Sequence, residues 1–358
     1  MKPTKELHEL GQSLWLDYIT RGILDDGTLE GYIRDLDVTG LTSNPTIFDK
    51  AISGGHAYDE QITELREQGL EPEPLFFELA LADLKRAAKL FERIHAETNR
   101  MDGWVSLEVS PLLAYDTEKS IQQAADLHGR ASRNIFIKIP GTPEGLPAIE
   151  ESIFAGVPIN VTLLFSTDQT MAAADAYMKG IERRIEAGLD PDVPSVLSLF
   201  ISRWDVAVHD EVPEDMQNTL GIAVGKATYR AWREMLDSDR WQGLAGKGAR
   251  LQRLLFASTG TKDPGASDTL YIDAFAAPDT INTIPEKTLK AFADHGTVGD
   301  PLPADGGDCE KVFQAHRDAG IDTDALALRL QKEGAEAFVK SWTDLVETIS
   351  REAEKLAS

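Results

Sequence analysis

Eight short apolar runs recur along the chain, each followed by a longer amphipathic segment, and this alternation limits the available folds more than any other feature. The runs are Leu14–Ile19, Val38–Asn44, Trp104–Ser110, Asn134–Pro140, Pro158–Phe165, Val196–Ser202, Arg253–Thr259 and Thr280–Ile284. Each has the length of a strand, and the segments between them carry apolar residues at helical spacing. "PLFFELALADLKRAAKLFERIHAE" is one such segment. "STDQTMAAADAYMKGIERRIEAG" opens on Ser166 and Gln169 at capping-box spacing and stops at Gly188. "TIPEKTLKAFADHG" sets Thr283 and Glu286 at the same spacing and stops at Gly296. Strands alternating with helices form a parallel sheet covered by helices, and eight units close into a single (β/α)8 TIM barrel. An open doubly wound sheet would place a glycine-rich loop after its first strand, yet "WLDYITRGILDDG" has no GxGxxG. "GLAGKGAR" follows no strand and fails the P-loop pattern, so it reads as a turn. With no repeat, linker or low-complexity tract, residues 1–358 are expected to be one barrel domain. Residues 321–358 form a C-terminal extension of one or two helices, broken near Gly334, that packs across the barrel mouth or its flank.

Lys and Arg number 36 against 60 Asp and Glu, a net charge of −24. A surface of that sign repels nucleic acid and anionic lipid, and an anionic substrate then needs a local basic cluster. There is no run of ~18 apolar residues to span a membrane. "MKPTKELHELGQSLW" lacks a signal-peptide apolar core, so a soluble, cytoplasmic protein is expected. Cys309, the only cysteine, excludes internal disulfides and a cysteine-based zinc site, and in "DGGDCEKV" it reads as a surface thiol. The histidines, at 8, 56, 95, 128, 209, 295 and 316, are never within four residues of each other. None lies in a predicted strand, so the HxH and HExxH ligand sets of a metal-dependent barrel hydrolase are absent.

Alternate residues of a strand share a face. In "WVSLEVS", Ser106, Glu108 and Ser110 therefore oppose Val105, Leu107 and Val109. In "PINVTLLF", Asn160 and Thr162 pair on one face, and in "VLSLFIS" Ser198, Phe200 and Ser202 do so. Asp17 lies in the first strand with Trp15 on its own face, and Asn44 ends the second before Pro45. In "NIFIKIP", Lys138 shares a face with Asn134 and Phe136 while three isoleucines point to the helices. Active sites of this fold lie at the C-terminal strand ends, so these polar residues converge on one pocket. The lysine has three readings: snorkelling to water, a structural ion pair with Glu108 or Asp17, or a nucleophilic amine. An amine withdrawn from water gives up its proton more readily, and the free amine attacks a carbonyl to form a Schiff base. Carboxylates of the Glu108 and Asp17 type are suitable proton shuttles for that chemistry.

"LWLDYITR", "GLTSNPTIFDKAI", "SLEVSP", "IFIKIPGTPEGLPAIE", "INVTLLFS", "LSLFISRWD" and "LFASTGTKDP" together resemble the signature segments of the transaldolase family, in order, from Leu14 to Gly296. The length and "ASTGTK" are similar to the longer bacterial branch. The resemblance implies a (β/α)8 barrel with Lys138 as the Schiff-base lysine of the fourth strand, and no metal or organic cofactor. It implies transfer of a dihydroxyacetone unit from sedoheptulose 7-phosphate to glyceraldehyde 3-phosphate, giving erythrose 4-phosphate and fructose 6-phosphate. By the same resemblance Asp17 moves the proton of the hydroxyl at the cleaved bond, and Glu108 with Thr162 holds a water. Asn44, Asn160 and Ser198 hydrogen-bond the sugar chain, beside Phe200, and Arg203 clamps the phosphate. The family's second phosphate arginine has no counterpart in "FASTGTKDP". Ser258 matches its serine, and Lys262, the nearest cation, is either a partial replacement or a surface lysine. A fructose-6-phosphate aldolase shares the barrel and lysine but is shorter and resembles this pattern with Gln at the Glu108 position and Tyr at the Phe200 position. A non-enzymatic binding barrel would have no use for a lysine, two carboxylates and an arginine at one rim. The expected partners are sugar phosphates; nucleic acid and membranes are not, and no oligomeric state is assigned.

Overall fold

The structure, a computed structural model, describes residues 2–356. All eight predicted strands are present: β1 (Ser13–Asp17), β2 (Val38–Thr42), β3 (Val105–Glu108), β4 (Ile135–Pro140), β5 (Ile159–Leu164), β6 (Ser195–Phe200), β7 (Arg253–Ala257) and β8 (Ile281–Ile284). They pair in parallel in chain order, and β1 closes on β8 with Ser13 opposite Ile281. The result is the closed (β/α)8 barrel expected from the alternation. Ile135, Ile137 and Ile139 are fully buried between sheet and helices, as predicted for the outward face of β4.

The N-terminal end of the barrel is plugged. Trp104 and Phe136 stack with ring centroids 4.0 Å apart, and Trp15 lies 6.3 Å from Phe136. Trp15 Nε1 donates to Asp102 Oδ1 (2.8 Å), and Ser13 Oγ donates to the other carboxylate oxygen, Oδ2. Arg253 Nη2 donates to Ser13 Oγ and to the Thr280 carbonyl, each at 2.7 Å. These polar groups are buried and mutually satisfied, so they support the fold rather than chemistry. Gly40 makes room for the plug: a Cβ there would lie 2.5 Å from Trp15 Nε1.

Helix boundaries follow the sequence where the signal is local. Ser166 caps the helix Thr167–Glu186, its Oγ accepting from the Gln169 backbone N–H (3.1 Å). Gln169 reaches back to the Phe165 N–H (2.8 Å), one residue before the cap. Thr283 is not a cap. It lies inside β8 with its hydroxyl 2.7 Å from Thr42 Oγ1, and the helix Glu286–His295 starts behind Pro285 instead. "GLAGKGAR" is a turn only from Gly246 onward, since its first three residues finish the helix Asp239–Ala245. Cys309 is buried rather than on the surface, packed on Ala223 and Ala227 of the helix Leu220–Asp237. That burial pushes its thiol pKa up.

The C-terminal segment is one helix, Thr323–Leu356, unbroken at Gly334. Gly334 is a point of close approach: a Cβ there would meet Phe165 at 3.1 Å and Leu163 at 3.2 Å. Gln331 Nε2 donates to the carbonyls of Gly141 and Leu163, both at 3.0 Å. Leu163 has φ of 57° where β5 shifts register against β6, and the side-chain amide takes up its carbonyl. Thr46–Ser341 and Thr348–Asp49 hydrogen bonds, both 2.8 Å, tie the helix to the segment Pro45–Ser53 after β2. The helix thus crosses the mouth of the barrel. No helix among the described residues is long and apolar enough to cross a membrane.

Candidate active site

A cavity of about 420 Å³ opens at the C-terminal ends of the strands. Asp17, Asn44, Lys138 and Thr162 line it on one side, and Ser198, Phe200, Arg203, Ser258 and Lys262 on the other. Glu108 and Asn160 flank Lys138 directly in register, on β3 and β5 respectively. Every residue predicted for the site is therefore gathered at one end of the barrel.

Lys138 Nζ donates to Glu108 Oε2 at 3.0 Å and to the Ser43 carbonyl at 3.2 Å. The two side chains are only 8% and 5% exposed, which excludes snorkelling. Removing such a pair from water costs several kcal/mol per ion, offset here by mutual attraction and by the Ser43 carbonyl. Burial pushes the Glu108 carboxyl up, while the charge and hydrogen bond of Lys138 pull against that rise. Glu108 Oε1 and Thr162 Oγ1 are buried without a hydrogen-bond partner among the described residues.

Asp17 Oδ1 accepts from Thr42 Oγ1 at 2.8 Å, and burial raises its pKa against the opposing effects of Lys138, that hydrogen bond and Lys262. Because the native carboxyl is held above its unfolded value of ~3.9, the native state binds more protons as pH passes through that window. Its contribution to stability is thus lost as pH rises from about 4 through the raised native pKa. Asp17→Asn is expected to raise Tm by ~1–3 °C at pH 7 and by nothing at pH 3.5. Thermal unfolding of both proteins at the two pH values checks this, and a lower Tm at pH 7 would contradict it.

Ser198 Oγ donates to Asn160 Oδ1 (2.6 Å), and Asn160 Nδ2 donates to Ser106 Oγ (3.1 Å), a polar ladder across the inner face of β3, β5 and β6. Asn44 lies beyond the end of β2 and caps the helix Pro45–Ser53, its Oδ1 accepting from the Ile47 N–H at 3.1 Å. Its amide NH₂ is left for the pocket. Ser258 adopts φ of 55° and its hydroxyl lies 2.9 Å from Ser202 Oγ. Arg203 stands in the first turn of the helix Ser202–Val208, its guanidinium 5.8 Å from the centre of the Phe200 ring. Burial lowers its pKa, partly countered by Glu333. Neither Arg203 nor the exposed Lys262 makes a hydrogen bond or salt bridge to the described residues.

Residues outside the predicted set also line the cavity. Thr42 was legible, since it alternates with Val38 and Gly40 on the inner face of β2. Lys50, one turn from the end of its helix, and Phe338, from the C-terminal helix, had no strand pattern to mark them. Lys50, Lys138, Arg203 and Lys262 face a single lining carboxylate, Asp17, so the cavity is basic within a chain of net charge −24.

Fold and site together define a (β/α)8-barrel enzyme built around a buried lysine. A sequence model of the Transaldolase/Fructose-6-phosphate aldolase family matches residues 14–349, and the chain belongs to that family. It is 41% identical over 357 residues to the transaldolase of Saccharopolyspora erythraea, covering 98% of this chain and 97% of that one. Identity to the transaldolase of Acidothermus cellulolyticus is 42% over 362 residues, covering 99% and 97%. The transaldolase of a Parafrankia strain is 40% identical over 367 residues, with both chains fully covered.

Proposed function

We propose that this chain is a transaldolase of the non-oxidative pentose phosphate pathway. It carries a dihydroxyacetone unit from sedoheptulose 7-phosphate to glyceraldehyde 3-phosphate, giving erythrose 4-phosphate and fructose 6-phosphate. The observation that carries the reading is the Lys138–Glu108 pair at 3.0 Å in a basic cavity, beside the orphaned Glu108 Oε1 and Thr162 Oγ1. Glu108 Oε2 is placed to take the proton from Lys138, freeing the amine to add to C2 of the ketose. The Glu108 and Thr162 orphans suit a water that returns a proton to the carbinolamine oxygen, which leaves as water to give the iminium. Asp17 then removes the proton of the C4 hydroxyl, the C3–C4 bond breaks, and its electrons pass to the iminium to form an enamine. Asn44, Asn160 and Ser198 orient the hydroxyls, Arg203 and Lys262 hold the phosphate, and Ser258 adds a hydroxyl beside them. The reading takes residues 1–358 as one catalytic unit with no cofactor. Charged sugar phosphates are retained inside cells, so a cytoplasmic location goes with it.

Borohydride added with fructose 6-phosphate is expected to leave a reduced three-carbon adduct on the Lys138 peptide, read by mass spectrometry. An unmodified Lys138 would overturn the mechanism. Abundant dihydroxyacetone released by the unaltered protein without an acceptor would favour the aldolase member of the family instead.

A further inference from the structure

Two aromatic rings stand among the polar groups that line the cavity: Phe200 and Phe338, with centroids 6.4 Å apart. Lys138 and Thr162 line it too, and Glu108 lies behind Lys138, accepting a hydrogen bond from its amine. The Phe338 ring centre lies 6.0 Å from Lys138 Nζ. Phe338 sits in the middle of a helix seam formed by Gln331, Gly334, Phe338 and Trp342, spaced for one face. Gln331 fixes the seam to β4 and β5, and Trp342 packs edge-on to Phe76 with centroids 5.0 Å apart. Its neighbours on the seam are buried, but Phe338 is only half-buried and lines the cavity.

We propose that Phe338 is a specificity-determining residue that favours transfer of the three-carbon unit over its loss to water; this rests on the Schiff-base reading above. After cleavage the enamine on Lys138 has two fates. In transfer, its C3 attacks the aldehyde carbon of the acceptor, the aldehyde oxygen takes a proton, and the iminium re-forms. In loss, C3 takes a proton from water, hydroxide or water adds to C2, and the C–N bond breaks to release dihydroxyacetone and the free amine. The water consumed there balances the water expelled when the imine formed. C3 would lie two bonds from Nζ, and Nζ is 6.0 Å from the centre of the Phe338 ring, so the ring is within reach of C3 and as an apolar cover would withhold the water that loss requires. The Glu108–Thr162 side remains polar, so hydrolysis of the product imine is still served.

The test is free dihydroxyacetone against transferred product, with fructose 6-phosphate alone and with an acceptor aldose phosphate. Phe338→Ala is expected to raise the ratio of release to transfer about 10-fold, and Phe338→Leu to restore most of the difference. Phe338→Tyr keeps the volume and brings a hydroxyl to the same place, and it too should raise the ratio, which covers the case of an Ala variant that does not fold. A ratio within about twofold of the unaltered protein in the folded variants overturns the proposal, even if both rates fall. Borohydride trapping on the same samples separates the two readings. An adduct at Lys138 with an unchanged ratio rejects the role of Phe338 alone, whereas no adduct in the unaltered protein rejects the Schiff base itself.

Discussion

Lys138→Met is expected to lower transfer by at least ~10⁴-fold and to abolish borohydride trapping, because no other amine can form the covalent link at that position. The protein should still fold. Methionine fills a similar volume, and the carboxyl left without its counter-ion is already pushed up by burial. Deprived of Lys138, Glu108 takes up a proton instead of remaining a buried charge. Its native pKa then rises further above the unfolded ~4.3, so stability falls as pH climbs from about 4 through the new native value. Thermal unfolding across that range should show a steeper loss than in the unaltered protein, while near pH 4 the two should converge. Residual transfer above ~1% would mean that another amine does the work.

Arg203→Ala is expected to raise KM for phosphorylated ketoses about 100-fold with little change in kcat, the worth of roughly two charge-assisted hydrogen bonds. Apart from its position 5.8 Å from the Phe200 ring centre, the guanidinium makes no hydrogen bond or salt bridge to the described residues, so most of the loss reports on the ligand. For the corresponding unphosphorylated sugars the penalty should vanish. Lys262→Ala should give a smaller effect of about 5- to 10-fold, since an ammonium on an exposed stem acts as a point charge. An unchanged KM in Lys262→Ala would leave Arg203 as the cation that holds the phosphate. A fall in kcat with KM constant in Arg203→Ala would contradict the phosphate assignment.

What could be read before the structure was known depended on whether the signal was local. Strand alternation placed Glu108, Lys138, Asn160 and Ser198 on the inner face because that pattern is carried within five or six residues. Ser166 and Thr283 carry the same capping spacing, yet only Ser166 caps. Thr283 belongs to a strand whose pairing orients its hydroxyl inward, and the barrel outweighs the local preference. Gly334 read as a breaker and Cys309 as exposed, because their neighbours in sequence are polar while their neighbours in space are Phe165 and Ala223. Phe338 and Gln331 act on residues far back in the chain, and no periodicity within one helix encodes what lies opposite it.

The crossing of the mouth by the last helix also orders events during synthesis. Strand β8 ends at Ile284, so every barrel strand, Lys138 and both carboxylates precede the residue that covers them. At ~5–20 residues per second, Phe338 is added some 3–10 s after Ile284. A nascent chain thus has every strand of the closed barrel and Lys138 before it has the cover over them. Under the roles proposed for Lys138 and Phe338, a barrel that closes in that interval would stand open to water and release its three-carbon unit until the final helix docks.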